Sequence, residues 1–257
     1  MKFFEFLTED PGISFDTAIK TIKNECKPFL KMADGQNMFM GVSAKTFNLN
    51  FISHAKLNFN KRSEAFNFMF TSGMKMAFNV DDRDSFFCGD VLTAMGQGDV
   101  HFCFPKGKFS FVYSKNFYDA SVEDQHLYKL LANYLHIKGN DSEQIVKQMF
   151  QQVSEQMSLT KFLSDEESKM WMQIFKMPAR RVRHAIKMAF EKMYVHNEKL
   201  DEALRAGCEI IIYESEGCYT IPWNRVAGHM VGEGIKVRSH KKFGNLQVTS
   251  YLKKQFA

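Results

Sequence analysis

Two clusters of basic side chains are the groups in this sequence that could bind phosphate or an acidic partner. Arg180, Arg181 and Arg183 fall at the start of a predicted helix, where positive charge is unfavourable to the helix dipole. Lys241 and Lys242 belong to a basic C-terminal segment with interspersed aromatic residues. The formal net charge is only +5, and nucleic-acid-binding proteins usually concentrate their basic residues more strongly. A solvated helix face is the favoured interpretation of the arginines, and contact with nucleic acid, contact with a partner protein and a plain surface stay open for the C-terminal lysines.

The cysteines are a second set of side chains that could be reactive or bind a metal. They are odd in number and widely separated, and no C-x-x-C pair occurs. His101 and Cys103 would point to the same face of a strand, but the sequence places no partner ligands beside them, so a metal site is not predicted. We expect free, mostly buried thiols in a reducing compartment. The cysteines are Cys26, Cys88, Cys103, Cys208 and Cys218.

The remaining motifs indicate no familiar catalytic class. Glu214 and Glu216 have a Glu-x-Glu spacing, but they precede Gly217 in a predicted hairpin turn, where carboxylates are solvated. The sequence contains no P-loop and no Gly-x-Gly-x-x-Gly, His-Glu-x-x-His or Gly-x-Ser-x-Gly motif.

The stretch from Asp84 to Ser114 is the part of the chain around which other elements are organised. Its pattern predicts a strand over 85–88, a short helix over 90–95, and strands over 100–104 and 109–113 that flank the turn Pro105-Lys106-Gly107. One interpretation of this stretch is a phenylalanine-rich hairpin whose side chains pack in the core and have no other role.

The same stretch resembles a known family. The residues SFFCGD at 85–90, then Ala94, Gly96 and FPKGKF at 104–109, are similar to the central part of ADP-ribosyltransferase-like proteins of tailed bacteriophages. The resemblance extends over roughly residues 36–114 and 198–222. It implies an ADP-ribosyltransferase-like split β-sheet, with a helical insertion between the early and the late strands.

The resemblance also implies where an NAD site would lie. A strand bearing Ser85 and Phe87 would line the nicotinamide pocket, and Gly41 would follow the residue that anchors the dinucleotide. Glu209, just before an apolar strand, would be the acid that stabilises an oxocarbenium-like sugar. In an active NAD-dependent mono-ADP-ribosyltransferase, Glu209 and Ser85 would be catalytic, and Gly41, Ser85 and Phe87 would bind the cofactor.

Two positions depart from the pattern of the family. Met40 stands where the anchoring arginine is expected, and a thioether neither pairs with phosphate nor donates a hydrogen bond. Gly207 stands where many relatives carry a second Glu or Gln. These departures predict a degenerate site, for which we expect no bound NAD, no other cofactor and no metal.

Three functional hypotheses follow. The first is a catalytically degenerate pseudoenzyme that acts as a structural or packaged virion component, with other virion proteins as partners. The second is an active phage transferase that modifies host proteins with NAD, and the third is a nucleic-acid-binding accessory protein that uses the basic clusters. No apolar run is long enough to span a bilayer and the N-terminus lacks a secretory pattern, so we expect no membrane partner. The expected location is the host cytoplasm or the virion.

The elements that must position these residues follow from the apolar periodicity. It predicts helices over 14–27, 64–78, 122–137, 142–157, 165–175, 179–195 and 198–206. Besides the strands given above, it predicts strands over 38–42, 47–51, 57–59, 209–213, 218–221 and 246–252. The sum is an α+β chain. We expect one domain, made of an N-terminal helical segment (1–35), a β-rich half (36–118), a helical excursion (119–206) and C-terminal strands (207–257).

Overall fold

A computed structural model describes residues 13–42, 49–52, 63–80, 85–89, 94–95, 98–114, 120–156, 158–164, 169–237 and 241–256 of the chain. These residues form a mixed α+β structure, which confirms the predicted class. The helices are α1 (Phe15–Glu25), α2 (Lys27–Ala33), α3 (Glu64–Phe78), α4 (Ala120–Tyr134), α5 (Ser142–Gln156), α6 (Leu159–Leu163), α7 (Lys169–Ile174), α8 (Ala179–Met193), α9 (Leu200–Ala206), α10 (Trp223–Gly232) and α11 (Lys241–Phe256). The strands are β1 (Phe39–Val42), β2 (Asn50–Ile52), β3 (Phe86–Cys88), β4 (Asp99–Pro105), β5 (Ser110–Ser114), β6 (Tyr194–His196), β7 (Ile210–Tyr213) and β8 (Cys218–Pro222).

The chain divides into two compact units, each assembled from segments distant in sequence. The first unit comprises Met1–Ala55, Phe86–Phe111 and Asn197–Ala257, and the second comprises Lys56–Ser85 and Val112–His196. The predicted helical excursion contains helices α4 to α9 and the short strand β6. The single domain stays a prediction.

The first unit is built on an antiparallel sheet with the strand order β1-β4-β8-β2. Met40 of β1 lies opposite His101 of β4, and Cys103 of β4 lies opposite Thr220 of β8. Because side chains alternate along a strand, these four residues occupy one face of the sheet. Residues 101–105 of β4 are all buried, so both faces of this central strand are covered.

A second sheet has the strand order β3-β7-β5-β6. Within the first unit, Phe86 of β3 pairs with Ile212 of β7, and Cys88 pairs with Ile210. A bridge between Gly89 and Phe39 joins the end of β3 to β1. All four residues of β7 are buried, as its continuous apolar run predicts for a strand covered on both faces.

The second unit is mainly helical, and its core is aromatic. Helix α3 begins at the N-cap Ser63, whose hydroxyl oxygen accepts a hydrogen bond from the Phe66 backbone N–H at 3.2 Å. Gly73, in the middle of α3, lies against Phe190 of α8, and a Cβ at this position would overlap the Phe190 ring. The glycine therefore permits close packing of two helices, although it weakens the helix propensity.

One predicted element is wrong, and others lie outside the described residues. The segment predicted as a strand over 246–252 is part of helix α11. Its buried residues Val248, Tyr251 and Leu252 recur at the i, i+3, i+4 spacing of a helix face, which outweighs the local alternation. The predicted strand at 57–59 and most of the predicted helix at 90–95 lie outside the described residues.

Candidate functional site

Met40, in the position of the expected anchoring arginine, is only 6% exposed. Its cross-strand neighbour His101 is 1% exposed, and no described residue provides a hydrogen bond to its Nδ1. Burial lowers the pKa of His101 to about 4, against a weaker opposing effect of the Asp99 carboxylate. His101 is therefore neutral near pH 7, and this cross-strand pair offers an anion no positive charge.

Gly41, the residue expected to contact the dinucleotide, follows Met40 on β1 and is half-buried. It lies opposite Val100, and the next pair joins Val42 to Asp99. The residues of β4 that pair with β1 thus include one carboxylate and no cation.

Ser85 and Glu209 flank opposite ends of the β3–β7 pair. Ser85 immediately precedes Phe86, whose partner is Ile212, whereas Glu209 precedes Ile210, whose partner is Cys88. Four residue positions separate the two along the strands, which corresponds to about 13 Å. The bridge from Gly89 to Phe39 brings the β1 strand to the Glu209 end. This register does not favour a common pocket for Ser85 and Glu209.

Ser85, Glu209 and Phe87 differ in burial. Ser85 is fully buried and Glu209 is half-buried, and each interacts with other residues. Phe87, expected to line the nicotinamide, pairs with Ile211 and is half-buried. Strand alternation places Phe87 on the opposite face from Phe86 and Cys88.

The Glu-x-Glu segment connects β7 to β8, but it is not the predicted hairpin turn, because the two strands belong to different sheets. Glu214 accepts a hydrogen bond from the Ser110 hydroxyl at 2.8 Å. The Glu216 side chain is 63% exposed and lies 3.3 Å from the Lys106 Nζ. These carboxylates are used in surface contacts that hold the connection.

Lys106 is the centre of a polar network that the sequence did not reveal. Its Nζ lies 3.1 Å from Oε2 of Glu25, the last residue of α1, and the Tyr219 hydroxyl donates to the same oxygen at 2.8 Å. The Tyr219 and Lys106 hydrogen bonds lower the pKa of Glu25, and Lys106 lies 5.5 Å from the Phe51 ring centroid. The members are far apart in sequence, and only the turn at Pro105-Lys106-Gly107 hinted at a shared position.

Three cysteine sulfurs meet on the buried sheet face that carries His101. Cys103 and Cys218 form a disulfide with a Cα–Cα distance of 6.4 Å, and the Cys88 Sγ lies 3.5 Å from the Cys103 Sγ. The expectation of free thiols is therefore wrong for Cys103 and Cys218, because strands β4 and β8 bring residues 115 apart in sequence together. It is confirmed for Cys88 and for the two other buried thiols, those of Cys26 and Cys208. Among the described residues, no group of three or more His, Cys, Asp or Glu side chains is arranged to hold a metal ion.

The arginine cluster is partly engaged in structure. Arg180 and Arg181 are exposed on the first turn of α8. Arg183 donates to the Ser164 carbonyl, and its guanidinium lies 5.9 Å from the Trp171 ring centroid. The side chains of Lys241 and Lys242, in the other predicted contact region, lie outside the described part of the structure.

A cavity of about 200 Å³ lies in the first unit, between the end of α2 and the end of α11. Phe104, Lys253 and Phe256 contribute to its wall. Neither Met40 nor Glu209 lines it. The cavity is thus separate from the residues that the resemblance assigns to an NAD site.

The helices of the described part include none that is long and apolar enough to cross a membrane. Comparisons of this chain with protein families, curated proteins and solved structures gave no match.

Proposed function

We propose that this chain is a catalytically silent protein of ADP-ribosyltransferase-like descent that serves as a structural or packaged component of a phage particle. The observation that carries the proposal is the buried Met40–His101 pair at the position where the resemblance requires a cation.

The physical argument concerns the pyrophosphate of NAD. A charge-assisted hydrogen bond contributes roughly 1.5–3 kcal/mol, so each one that is lost weakens affinity about tenfold or more. Met40 provides no such bond, and His101 is neutral near pH 7 because burial lowers its pKa. The separation of Ser85 from Glu209 along the β3–β7 pair also supports the proposal, because an active transferase needs an acid and a hydroxyl beside one sugar. Both observations support a protein that keeps its sheet without using it for NAD chemistry.

The test is isothermal titration of the purified chain with NAD, together with incubation of a host lysate and labelled NAD. We expect neither measurable binding heat nor labelled protein. Binding that is lost in Glu209→Ala but kept in the matched surface variant Glu214→Ala would overturn the proposal and establish the active transferase.

The particle role is tested separately. Mass spectrometry of purified virions from a phage that encodes the chain is expected to detect it in fixed proportion to the major particle proteins. Its absence from the particles would remove the virion role, even if NAD binding is also absent.

A further inference from the structure

We propose that Cys88, Cys103 and Cys218 form an intramolecular thiol–disulfide exchange site, in which Cys88 and Cys218 compete for the shared sulfur of Cys103. This inference rests on the first unit alone and does not depend on the proposed function.

The strand register explains why these three sulfurs meet. Cys103 lies opposite Thr220 on β8, so Cys218, two residues earlier, is its diagonal neighbour on the same face. Cys88 ends β3 next to Gly89, which is bridged to Phe39 of β1. The Cys88 thiol thereby reaches within 3.5 Å of the Cys103 sulfur, on the side of β4 away from β8.

The exchange step is balanced within the chain. The Cys88 thiol loses its proton, and the thiolate attacks Cys103 Sγ. The Cys88–Cys103 bond forms as the Cys103–Cys218 bond breaks, and the electron pair leaves on the Cys218 sulfur, which takes up a proton. One thiol and one disulfide are present before and after the step, so no oxidant or reductant is consumed.

The surroundings determine when the step occurs. All three cysteines are 1% exposed or less. Burial raises the pKa of the Cys88 thiol, so its thiolate forms only when the cluster opens locally. Exchange then moves the covalent link from the β4–β8 pair to a link between β3 and β4 without changing the redox state of the protein.

The sequence makes the two linkages distinguishable by peptide mapping. Trypsin releases Cys88 and Cys103 on one peptide, residues 84–106, and Cys218 on another, residues 206–225. The Cys103–Cys218 link gives a cross-linked pair of peptides. The Cys88–Cys103 link gives a single looped peptide, lighter by two hydrogens than the reduced form. Cys208 lies on the second peptide with Cys218, so Cys208→Ser is the background for the experiment and makes the assignment unique.

The experiment starts from the oxidised, folded chain with Cys208→Ser. Exchange is started by raising the pH from acid to mildly alkaline, samples are quenched in acid over time, and free thiols are alkylated before digestion. We expect the looped 84–106 peptide to rise as the cross-linked pair falls, with the sum of the two constant. A cross-linked pair that persists unchanged, with Cys88 fully alkylated throughout, would overturn the proposal.

Two variants provide independent outcomes. In Cys218→Ser, oxidised glutathione is expected to produce the looped peptide as the main product, whereas a stable glutathione adduct on Cys103 beside a free Cys88 would contradict the proposal. In Cys88→Ser the looped peptide must be absent, and its appearance would show that the assignment of the peptide is wrong. The folded Cys208→Ser chain alone decides the matter if the Cys218 variant fails to fold.

Discussion

Met40 and His101 form a buried cross-strand pair, so the side chain at each position must suit its neighbour. An arginine at position 40 would place its charge against a neutral, buried imidazole, and an uncompensated buried charge costs several kcal/mol. A thioether is polarizable and apolar and fills the same space without that cost. A methionine at position 40 therefore suits this buried strand better than a cation would.

His101 makes a prediction about pH. Its pKa falls from the ordinary 6.5 to about 4 on folding, so between these values the unfolded chain binds a proton that the folded chain does not. Stability must therefore decrease as the pH falls through this window. From about pH 7.5 to about pH 5.5 we expect the free energy of unfolding to decrease by about 1 kcal/mol through this group, measured by urea unfolding.

The control variants isolate this effect from other titrating groups. His101→Gln removes the titrating group and should flatten the profile over the same interval. The exposed His184, changed to Gln in the same way, should leave the profile of the wild-type chain intact. An unchanged pH profile in His101→Gln would show that the imidazole is protonated, or solvated, in the folded state.

Helix α3 accommodates a residue of low helix propensity in its middle, because Gly73 packs against Phe190 of α8. We expect Gly73→Ala to destabilise the chain by about 1–3 kcal/mol, because the added methyl meets the Phe190 ring in a packed core. Gly232, at the exposed end of α10, has open space around it, and Gly232→Ala should stabilise by about 0.4–1 kcal/mol. Chemical unfolding of both variants measures the contrast. Equal stabilisation in the two would mean that α3 and α8 do not pack as described.

The elements that depend on local pattern were predictable from the sequence, and those that depend on distant partners were not. Helix α3 has the predicted bounds because Ser63 caps it and its apolar stripe is continuous. In the segment 246–252 of α11, a few alternating residues favour a strand and obscure the helical spacing of Val248, Tyr251 and Leu252. The candidate site shows the same limit. Met40, Ser85 and Glu209 each precede or occupy a predicted strand, but only the pairing register tells which of them are neighbours.

The β4–β8 pairing and its disulfide join segments that are far apart in the sequence. Strands β4 and β8 pair across more than a hundred residues, and their disulfide joins positions 115 apart. The alternative Cys88–Cys103 link would join positions only 15 apart. In the chain-entropy relation, the longer loop restricts the unfolded chain by about 5 kcal/mol and the shorter by about 3 kcal/mol. The chain with the Cys103–Cys218 link is therefore expected to be about 2 kcal/mol more stable against unfolding than the chain with the Cys88–Cys103 link.

Reduction of the disulfide should consequently affect the stability of the whole chain. We expect dithiothreitol to lower the free energy of unfolding by about 2–5 kcal/mol, since the released chain gains entropy when unfolded. Urea midpoints with and without the reductant measure the loss. Cys103→Ala, which removes the sulfur common to both links, should show a similar loss and no response to the reductant, whereas Cys208→Ala, which changes a free thiol, should respond as the wild-type chain does. Thiol labelling checks that reduction is complete. If the midpoint of the fully reduced wild-type chain is unchanged, the disulfide does not restrict the unfolded chain, and this prediction is wrong.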